Sequence, residues 1–227
     1  MSNAWISPVI EYYKIFFGTA ADIIIDVGTR EGDDAYLIQQ RLETKHIYAI
    51  DARQEAIETT KKRYPDFNVF HTAISNYTGI TTFCSILSDD PDYVGSSSIY
   101  NKKFIRKEYD HEIIEVPVTT MDNFIEENGL DYKFLDIVKV DIEGYTFEFL
   151  EGFSKHMNNV KMFHLETEHN STHKNHVNSY QIANYMRSKN FILAGTQHEW
   201  ETDIEDQIWV NKYLINNTKE RSKWLRS

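Results

Sequence analysis

The chain has 227 residues, of which 41% are hydrophobic and 14% aromatic, a composition typical of a folded domain rather than a disordered chain. Its 24 basic and 35 acidic residues give a formal net charge of −11, which disfavours nucleic acid and anionic membranes as partners. The single cysteine, Cys84, excludes an intrachain disulfide, and no apolar segment reaches membrane-spanning length, so we expect a cytoplasmic protein.

Strands and helices are predicted to alternate along the chain. The run "IIID" at 23–26 predicts a strand buried on both faces, and Gly28 and Gly32 predict a turn and a helix start after it. Further strands are predicted at 46–51, 68–75, 78–87, 115–120, 137–142 and 160–167, and further helices at 53–64, 121–128, 145–153 and 180–189. Segments 191–195 and 207–214 predict a closing antiparallel pair.

The whole chain, 1–227, is predicted to form a single α/β domain. No repeat or linker interrupts it, and the alternation of strands with helices predicts a mostly parallel sheet covered on both faces. We expect an N-terminal helical extension at 1–20 and a tail at 215–227. The polar segment 88–101 predicts a long loop, where we expect substrate contacts because loops on a fixed scaffold carry specificity.

Three predicted strands end on an acid, at Asp26, Asp51 and Asp141. In a parallel α/β sheet the carboxyl ends of the strands line one edge, and ligands bind there at the point where the strand order reverses. Carboxylates gathered at this edge suit a ligand that presents hydroxyl or ammonium groups. The sequence therefore predicts a binding crevice with all three acids along it.

The spacing of the acids and glycines favours a nucleoside ligand without phosphates. Asp51 follows the glycine turn by roughly 20 residues, as does the acid that holds ribose hydroxyls in nucleotide-binding folds. Gly28 and Gly32 are four positions apart, whereas the dinucleotide fingerprint has glycines two and then three apart. Asp33 and Asp34 add negative charge at the helix start, where a pyrophosphate would lie.

Five motifs occur in a familiar order over about residues 22–170, namely "DVGTREG", "YAIDA", "FHTAIS" with "NYTG", "VPVTTMDNFI" and "VKVDIEGYTFEFLEGF". In these motifs and their order the chain resembles the FkbM-type methyltransferases. The resemblance implies a Rossmann-like class I methyltransferase fold, with a mostly parallel seven-stranded sheet, helices on both faces and a C-terminal antiparallel strand pair. It also implies S-adenosylmethionine as the cofactor.

The resemblance assigns cofactor contacts to eight residues. They are Asp26, Gly28, Gly32, Asp51, Ala52, Ala73, Ile74 and Asp141. By this resemblance Asp26 faces the ammonium group above the glycine turn, Asp51 holds the ribose hydroxyls, and Asp141 lies near the sulfonium. The adenine would lie between backbone at Ala73 and Ile74. The chain departs from the family pattern at Arg30 and Glu31, and at Asp51-Ala52, where Glu-Pro is common.

The resemblance also implies the reaction, since FkbM-like enzymes are mostly O-methyltransferases of glycans and natural products. We expect methyl transfer to a hydroxyl of a sugar, glycan or small polar metabolite. A hydroxyl acceptor benefits from a general base, and the candidates are His169, Asp141 and Glu166, with Glu168 nearby. His169 ranks first because the pKa of histidine lies near working pH.

Other interpretations of these residues stay open. His164, His169, His173 and His176 lie close in sequence, and Asp141, Glu168 and Asn170 would suit Mg²⁺, but the histidines lack a regular helical spacing, so we expect no metal. A Rossmann-like nucleoside-binding module without catalysis is a second hypothesis. A nicotinamide-dependent oxidoreductase is a third, which the glycine spacing disfavours.

Overall fold

The computed structural model describes residues 5–87, 97–99, 110–130, 132–169, 177–198 and 203–216. Its strands are β1 (Ile23–Val27), β2 (His46–Asp51), β3 (Asn68–His71), β4 (Ala73–Ser75), β5 (Gly79–Leu87), β6 (Asp110–Thr120), β7 (Leu135–Val140), β8 (Val160–Glu168), β9 (Phe191–His198) and β10 (Ile204–Asn211). Its helices are α1 (Ile6–Phe17), α2 (Asp33–Leu42), α3 (Gln54–Arg63), α4 (Met121–Glu127), α5 (Thr146–Glu151) and α6 (Ser179–Ser188), with a 3-10 turn at Met157–Asn159.

Seven strands form the central sheet, in the order β3-β2-β1-β7-β8-β10-β9. The first five run parallel to one another, whereas β10 pairs antiparallel with both β8 and β9. The predicted α/β fold, with its mostly parallel sheet and closing antiparallel pair, is confirmed. The chain proceeds outwards in opposite directions from β1 and from β7, so the order reverses between these two strands. Ligands of such sheets bind at this point.

Helices cover both faces of the central sheet. Helices α1 and α2 pack against one face, which includes Ile24 of β1, and α4, α5 and α6 pack against the other, which includes Ile25. Successive residues of a strand point to opposite faces, so Ile24 and Ile25 enter different cores. All of β1 is buried, which explains its continuous apolar sequence.

The predicted strand 68–75 is instead two strands in two sheets. Strand β3 lies beside β2 in the central sheet, whereas β4 pairs with β6 in a three-stranded sheet of order β4-β6-β5. The break is at Thr72, whose N–H donates to Asp51 O at 3.0 Å and whose Oγ1 donates to Pro117 O at 3.2 Å. Side chains on both sides of the break are buried or half-buried, so the apolar pattern continues through it. Strand β6 also begins at 110 rather than at the predicted 115. Its first residues are exposed and lack an apolar alternation, so no pattern in the sequence marked them as a strand.

A polar network around Asp136 closes the amino end of the sheet, opposite to the predicted site. The Asp136 carboxylate accepts hydrogen bonds from the N–H groups of Asp22 and Ile23 at 2.9 and 3.0 Å, and from the Tyr13 hydroxyl of α1. Lys161 Nζ lies 2.5 Å from the same carboxylate. Burial and the neighbouring Asp136 raise the pKa of Tyr13. None of the helices in the described part of the chain is long and apolar enough to cross a membrane.

Candidate active site

Asp26, Asp51 and Asp141 lie at the carboxyl edge of the parallel strands, as predicted. Asp26 is fully buried near the end of β1, and Asp51 is buried at the end of β2. Asp141 follows β7 directly, and its N–H donates to Val27 O at 3.0 Å. Its side chain is 37% exposed, so of the three carboxylates it is the one that opens to solvent.

The turn after β1 packs closely against the turn after β7. The N–H groups of Gly28 and Thr29 both donate to Ile50 O, at 2.9 and 3.0 Å. Gly28 has a φ of 80°, and a Cβ built on it would lie 1.8 Å from Asp141 O. Glycine meets both requirements because it tolerates positive φ and has no Cβ. Gly28 therefore fixes the approach of the two turns that carry Asp26 and Asp141.

Gly32 is the N-cap of α2 and faces α3. A Cβ built on Gly32 would lie 2.9 Å from Thr60 Cγ2 and from Tyr64 Cδ2. Glu31 also turns towards α3, where its carboxylate lies 2.6 Å from Arg63 Nη1. The departure from the family pattern at Glu31 thus belongs to the contact between α2 and α3.

The Asp51 carboxylate has protein partners on both oxygens. Oδ1 accepts from Arg53 N at 2.8 Å and from Arg53 Nε at 3.3 Å, and Oδ2 accepts from Arg30 N at 2.9 Å and from Arg53 Nη2 at 3.5 Å. Arg30 has a φ of 55°, so the bond from Arg30 N holds a left-handed turn. An ionised carboxylate offers about four acceptor positions, so these four bonds fill them, and a further donor on Asp51 would replace the longest bond, that from Arg53 Nη2.

Lys139 lies at the centre of the site, although it is not among the site residues predicted from the sequence. Its side chain is 4% exposed, and Nζ lies 3.5 Å from Asp26 Oδ1, 3.3 Å from Asp34 Oδ2 and 3.2 Å from Asp141 Oδ2. The register of β1 and β7 explains this, since Asp26 and Lys139 are direct neighbours across the strands. A lysine inside the apolar run "IVKVDI" was the available signal.

Lys139 and its carboxylates shift one another's pKa. Burial lowers the pKa of Lys139, but Asp141, Asp26 and Asp34 raise it more, to well above 10.5. Burial raises the pKa of Asp26 above 3.8, although Lys139 opposes this. For Asp141 burial also acts upwards, but the Lys139 charge and hydrogen bonds from Lys139 and Glu166 outweigh it, so its pKa is lowered.

Glu143 and Glu166 complete a cluster of carboxyl groups with Asp141. Burial, together with Asp141 and Glu168, raises the pKa of Glu143 from 4.5 to about 8. Burial, together with Asp141 and Glu143, raises the pKa of Glu166 well above 4.5. Glu143 also has a φ of 51°, in the left-handed region. The cluster therefore combines one acidic carboxyl group with two that hold protons more tightly.

Within the part of the chain that the structure describes, this cluster is the set of acidic residues whose spacing would suit a metal ion. One oxygen each from Asp141, Glu143 and Glu166 lies within 4.8 Å of the others. It shares only Asp141 with the set of Asp141, Glu168 and Asn170 considered from the sequence. Asn170 lies outside the described residues.

Ala52 and Ala73 come together in a small apolar cluster between the two sheets. They pack there with Phe83 and with two valines of β6. Ile74 instead points into the core beneath α4 and α5, because neighbouring residues of β4 face opposite sides. Of the two residues predicted to flank an adenine, Ala73 is therefore the one in the apolar cluster with Ala52.

The structure does not bring His169 together with Asp141 and Glu166. Ser179 Oγ of α6 lies 2.9 Å from His169 Nδ1, and Glu205 Oε2 of β10 lies 3.3 Å from His169 Nε2. His169 follows Glu166 by three positions in extended chain, so the two side chains point to opposite faces. The grouping was predicted because these residues lie at the ends of two predicted strands, 137–142 and 160–167.

Part of the predicted substrate loop borders the carboxyl cluster. Ser98 pairs with Cys84 of β5 through two backbone hydrogen bonds, of 2.9 and 3.1 Å, and Ser98 Oγ donates to Glu143 O at 2.8 Å. Cys84 is buried, as expected for a small apolar residue. Segments 88–96 and 100–109, and His173 and His176, lie outside the described residues.

Solved structures of methyltransferases share this fold. Methyltransferase FkbM from Methylobacillus flagellatus KT is 14% identical, with a TM-score of 0.56 over 88% of this chain and 47% of that one. Magnesium protoporphyrin IX methyltransferase (ChlM) from Synechocystis PCC 6803, with bound S-adenosylhomocysteine, is 8% identical, with a TM-score of 0.52 over 92% of this chain and 82% of that one. The present chain thus spans about half the length of the FkbM structure.

Structures of such low identity show a shared fold but not the family of the chain, which its sequence shows. No curated protein matches the sequence. The family described as "Methyltransferase FkbM domain" matches residues 26–193, about three quarters of the chain, from Asp26 through the carboxyl cluster to β9. The chain belongs to the FkbM methyltransferase family.

Proposed function

We propose that this chain transfers a methyl group from S-adenosylmethionine to a hydroxyl of a sugar, a glycan or another small polar metabolite. The observation that carries the proposal is the charge between the turns after β1 and β7. Three carboxylates, those of Asp26, Asp34 and Asp141, surround one ammonium group, that of Lys139. Such an excess of negative charge attracts a ligand with cationic ammonium and sulfonium groups.

The buried carboxylate of Asp26 fits an ammonium ligand. Its Oδ2 accepts a hydrogen bond from Thr29 Oγ1 at 2.7 Å. Its Oδ1 has no hydrogen-bond partner among the described residues, and the Lys139 ammonium lies 3.5 Å away. A buried acceptor without a hydrogen bond costs roughly 1–3 kcal/mol, which a ligand donor would recover. We therefore assign the cofactor ammonium to Asp26 and the region of the sulfonium to Asp141.

The adenosine part of the cofactor would lie over the ends of β2 and β4. Asp51 is already held in place by Arg30 N and Arg53 N, and a ribose hydroxyl would replace the 3.5 Å bond from Arg53 Nη2. Ala52 and Ala73 offer a small apolar surface for the adenine ring. Ile74, whose side chain points into the core, would contribute through its backbone.

S-adenosylmethionine supplies an already activated methyl group when it is bound. The chain must then orient the acceptor and remove its hydroxyl proton. We assign the proton to Glu143, because its pKa of about 8 is near neutral pH, where a general base works best. Asp141 has a lowered pKa and is a weaker base, and Glu166 donates a hydrogen bond to it. His169 has its partners on the other face of the sheet.

A neutral, hydroxyl-bearing acceptor agrees with the surroundings of Glu143. The serine-rich segment reaches the cluster through Ser98, whose hydroxyl donates to Glu143 O at 2.8 Å. The net charge of −11 disfavours phosphorylated acceptors and nucleic acid. The resemblance to FkbM-type enzymes supports the same class of acceptor.

The test is incubation with methyl-labelled S-adenosylmethionine and a panel of sugars, nucleotide sugars, phenols, amines and RNA. We expect label on hydroxyl groups, with Glu143→Gln slowing transfer by about a hundredfold or more. Glu127→Gln, at an exposed position on α4, is the control and should transfer at the wild-type rate. Label on amines or RNA, and never on hydroxyls, would overturn the assignment of the acceptor.

One observation favours a nucleoside-binding module without catalysis as a second candidate. Arg53 is 8% exposed, and its Nε lies 3.3 Å from Asp51 Oδ1, so the proposed ribose acceptor already has a buried cation. Binding of S-adenosylhomocysteine without transfer to any acceptor in the panel would support this candidate.

A further inference from the structure

We propose that Lys139 is the positioning residue of the cofactor site, and that its ion pairs with Asp26, Asp34 and Asp141 fix the positions of Asp26 and Asp141. The identity of the ligand in this inference rests on the proposed function, whereas the ion pairs of Lys139 do not depend on it. Lys139 Nζ lies within 3.5 Å of carboxylates on three separate elements, the end of β1, the first turn of α2 and the turn after β7. The contact with Asp141 is a hydrogen bond of 3.2 Å, whereas those with Asp26 and Asp34 are ion pairs.

The position of Lys139 makes this role specific. In the parallel register it stands between Asp26 on β1 and His164 on β8, in the middle of the central sheet. Its side chain and that of Asp26 are 4% and 1% exposed, so little water competes for the contact. Without the ammonium, the Asp26, Asp34 and Asp141 carboxylates would repel one another and move apart.

Stability alone does not account for a lysine here. A buried ion pair is often no more stabilising than well-packed apolar residues of similar volume, and β7 is otherwise rich in such residues. Asp34, 47% exposed on α2, would serve as the outer anchor, while Asp26 and Asp141 face the ligand. Asp34 would therefore hold Lys139 in place, and Lys139 would hold the two ligand-facing acids.

Lys161 provides a matched control. It lies on the neighbouring strand β8, and its Nζ is 2.5 Å from Asp136 of β7, which is 3% exposed. Both lysines therefore pair with buried carboxylates of the same sheet, but Lys161 does so at the amino end. Lys161→Met should destabilise the fold without altering the crevice, and it shows what the loss of such an ion pair does by itself.

The first measurement is hydrogen exchange in the free protein, which needs no ligand. The N–H of Asp141 donates to Val27 O at the end of β1, and the N–H groups of Gly28 and Thr29 donate to Ile50 O of β2. We expect Lys139→Met to speed their exchange about tenfold or more over Lys161→Met at matched global stability. Equal exchange in the two variants would overturn the proposal. If Lys139→Met does not fold, the same measurement is made on Asp34→Asn. An unchanged exchange rate of the Asp141 amide in Asp34→Asn would also overturn the proposal.

The second measurement is calorimetry with S-adenosylhomocysteine. We expect Lys139→Met to weaken binding about tenfold to a hundredfold, because Asp26 and Asp141 would no longer be held in the positions that face the ligand, and Lys161→Met to leave it unchanged. Asp34→Asn should weaken binding in the wild-type background but not in Lys139→Met. An equal loss in both backgrounds would contradict a dependence through Lys139. If the wild-type protein does not bind, the proposed cofactor is wrong, and the exchange experiment still decides the role of Lys139.

Discussion

Gly28 and Asp141 approach one another so closely that a Cβ on Gly28 would lie 1.8 Å from Asp141 O. This contact joins the turns after β1 and β7, which carry two of the three acids of the crevice. Their spacing is therefore set by the backbone, and the side chains of Asp26 and Asp141 depend on it.

Gly28→Ala should open this contact and weaken S-adenosylhomocysteine binding by more than about tenfold. The turn after β7 must move to make room for the alanine Cβ. Strain at φ 80° adds about 1–2 kcal/mol of destabilisation. Gly129→Ala is the control, since Gly129 has a φ of 61° with no atom near its Cβ position. Calorimetry that shows the same affinity in both variants would refute the role of the contact.

Asp51→Asn should reduce both binding and stability. A neutral amide binds ribose hydroxyls less strongly than a carboxylate, and we expect affinity for S-adenosylhomocysteine to fall about tenfold to a hundredfold. The melting temperature should also fall, because buried Arg53 loses its charged partner. Asp22→Asn, at a side chain that is 62% exposed, is the control for removal of one acid. Unchanged affinity in Asp51→Asn would remove Asp51 from the ribose site.

Glu143→Gln should change how stability depends on pH. The pKa of Glu143 is about 8 in the folded protein against 4.5 as its ordinary value, so the folded state binds the proton more tightly. This group therefore stabilises the fold at low pH and loses that contribution as pH rises through about 8. We expect Glu143→Gln to melt at a higher temperature than wild type at pH 9, and at a similar one at pH 5. A parallel pH dependence of both proteins would contradict the raised pKa.

Tyr13→Phe tests the opposite end of the sheet. The Tyr13 hydroxyl donates to buried Asp136, so its loss should destabilise the protein by about 1–3 kcal/mol. For a chain of this size that lowers the melting temperature by roughly 2–4 °C per kcal/mol. Affinity for S-adenosylhomocysteine should stay at the wild-type value, and a large loss would mean that the two ends of the sheet are coupled.

Local patterns in the sequence predicted much of the fold. Buried parallel strands have continuous apolar sequences, so β1 was apparent from its residues alone, and the glycine after it marked the turn. The division between β3 and β4 was not apparent, because the side chains next to Thr72 are buried or half-buried on both sides of the break. Which sheet a strand joins depends on its partners rather than on its own residues.

The candidate site was likewise predicted in part from the sequence. The strand-end acids were predicted because the carboxyl ends of parallel strands must share an edge. Lys139 was missed because its role comes from cross-strand register with Asp26, which one strand's sequence does not contain. The grouping of His169 with Glu166 was wrong in geometry, since a spacing of three in a strand reverses the face.

The most direct test of the central claim is a calorimetric titration of S-adenosylhomocysteine into the wild-type protein and into Asp26→Asn. We predict one binding site per chain in the wild-type protein, and an affinity at least about tenfold weaker in the variant, because Asp26 Oδ1 is the acceptor assigned to the cofactor ammonium. Absence of binding to the wild-type protein, or equal binding to both proteins, would contradict this account.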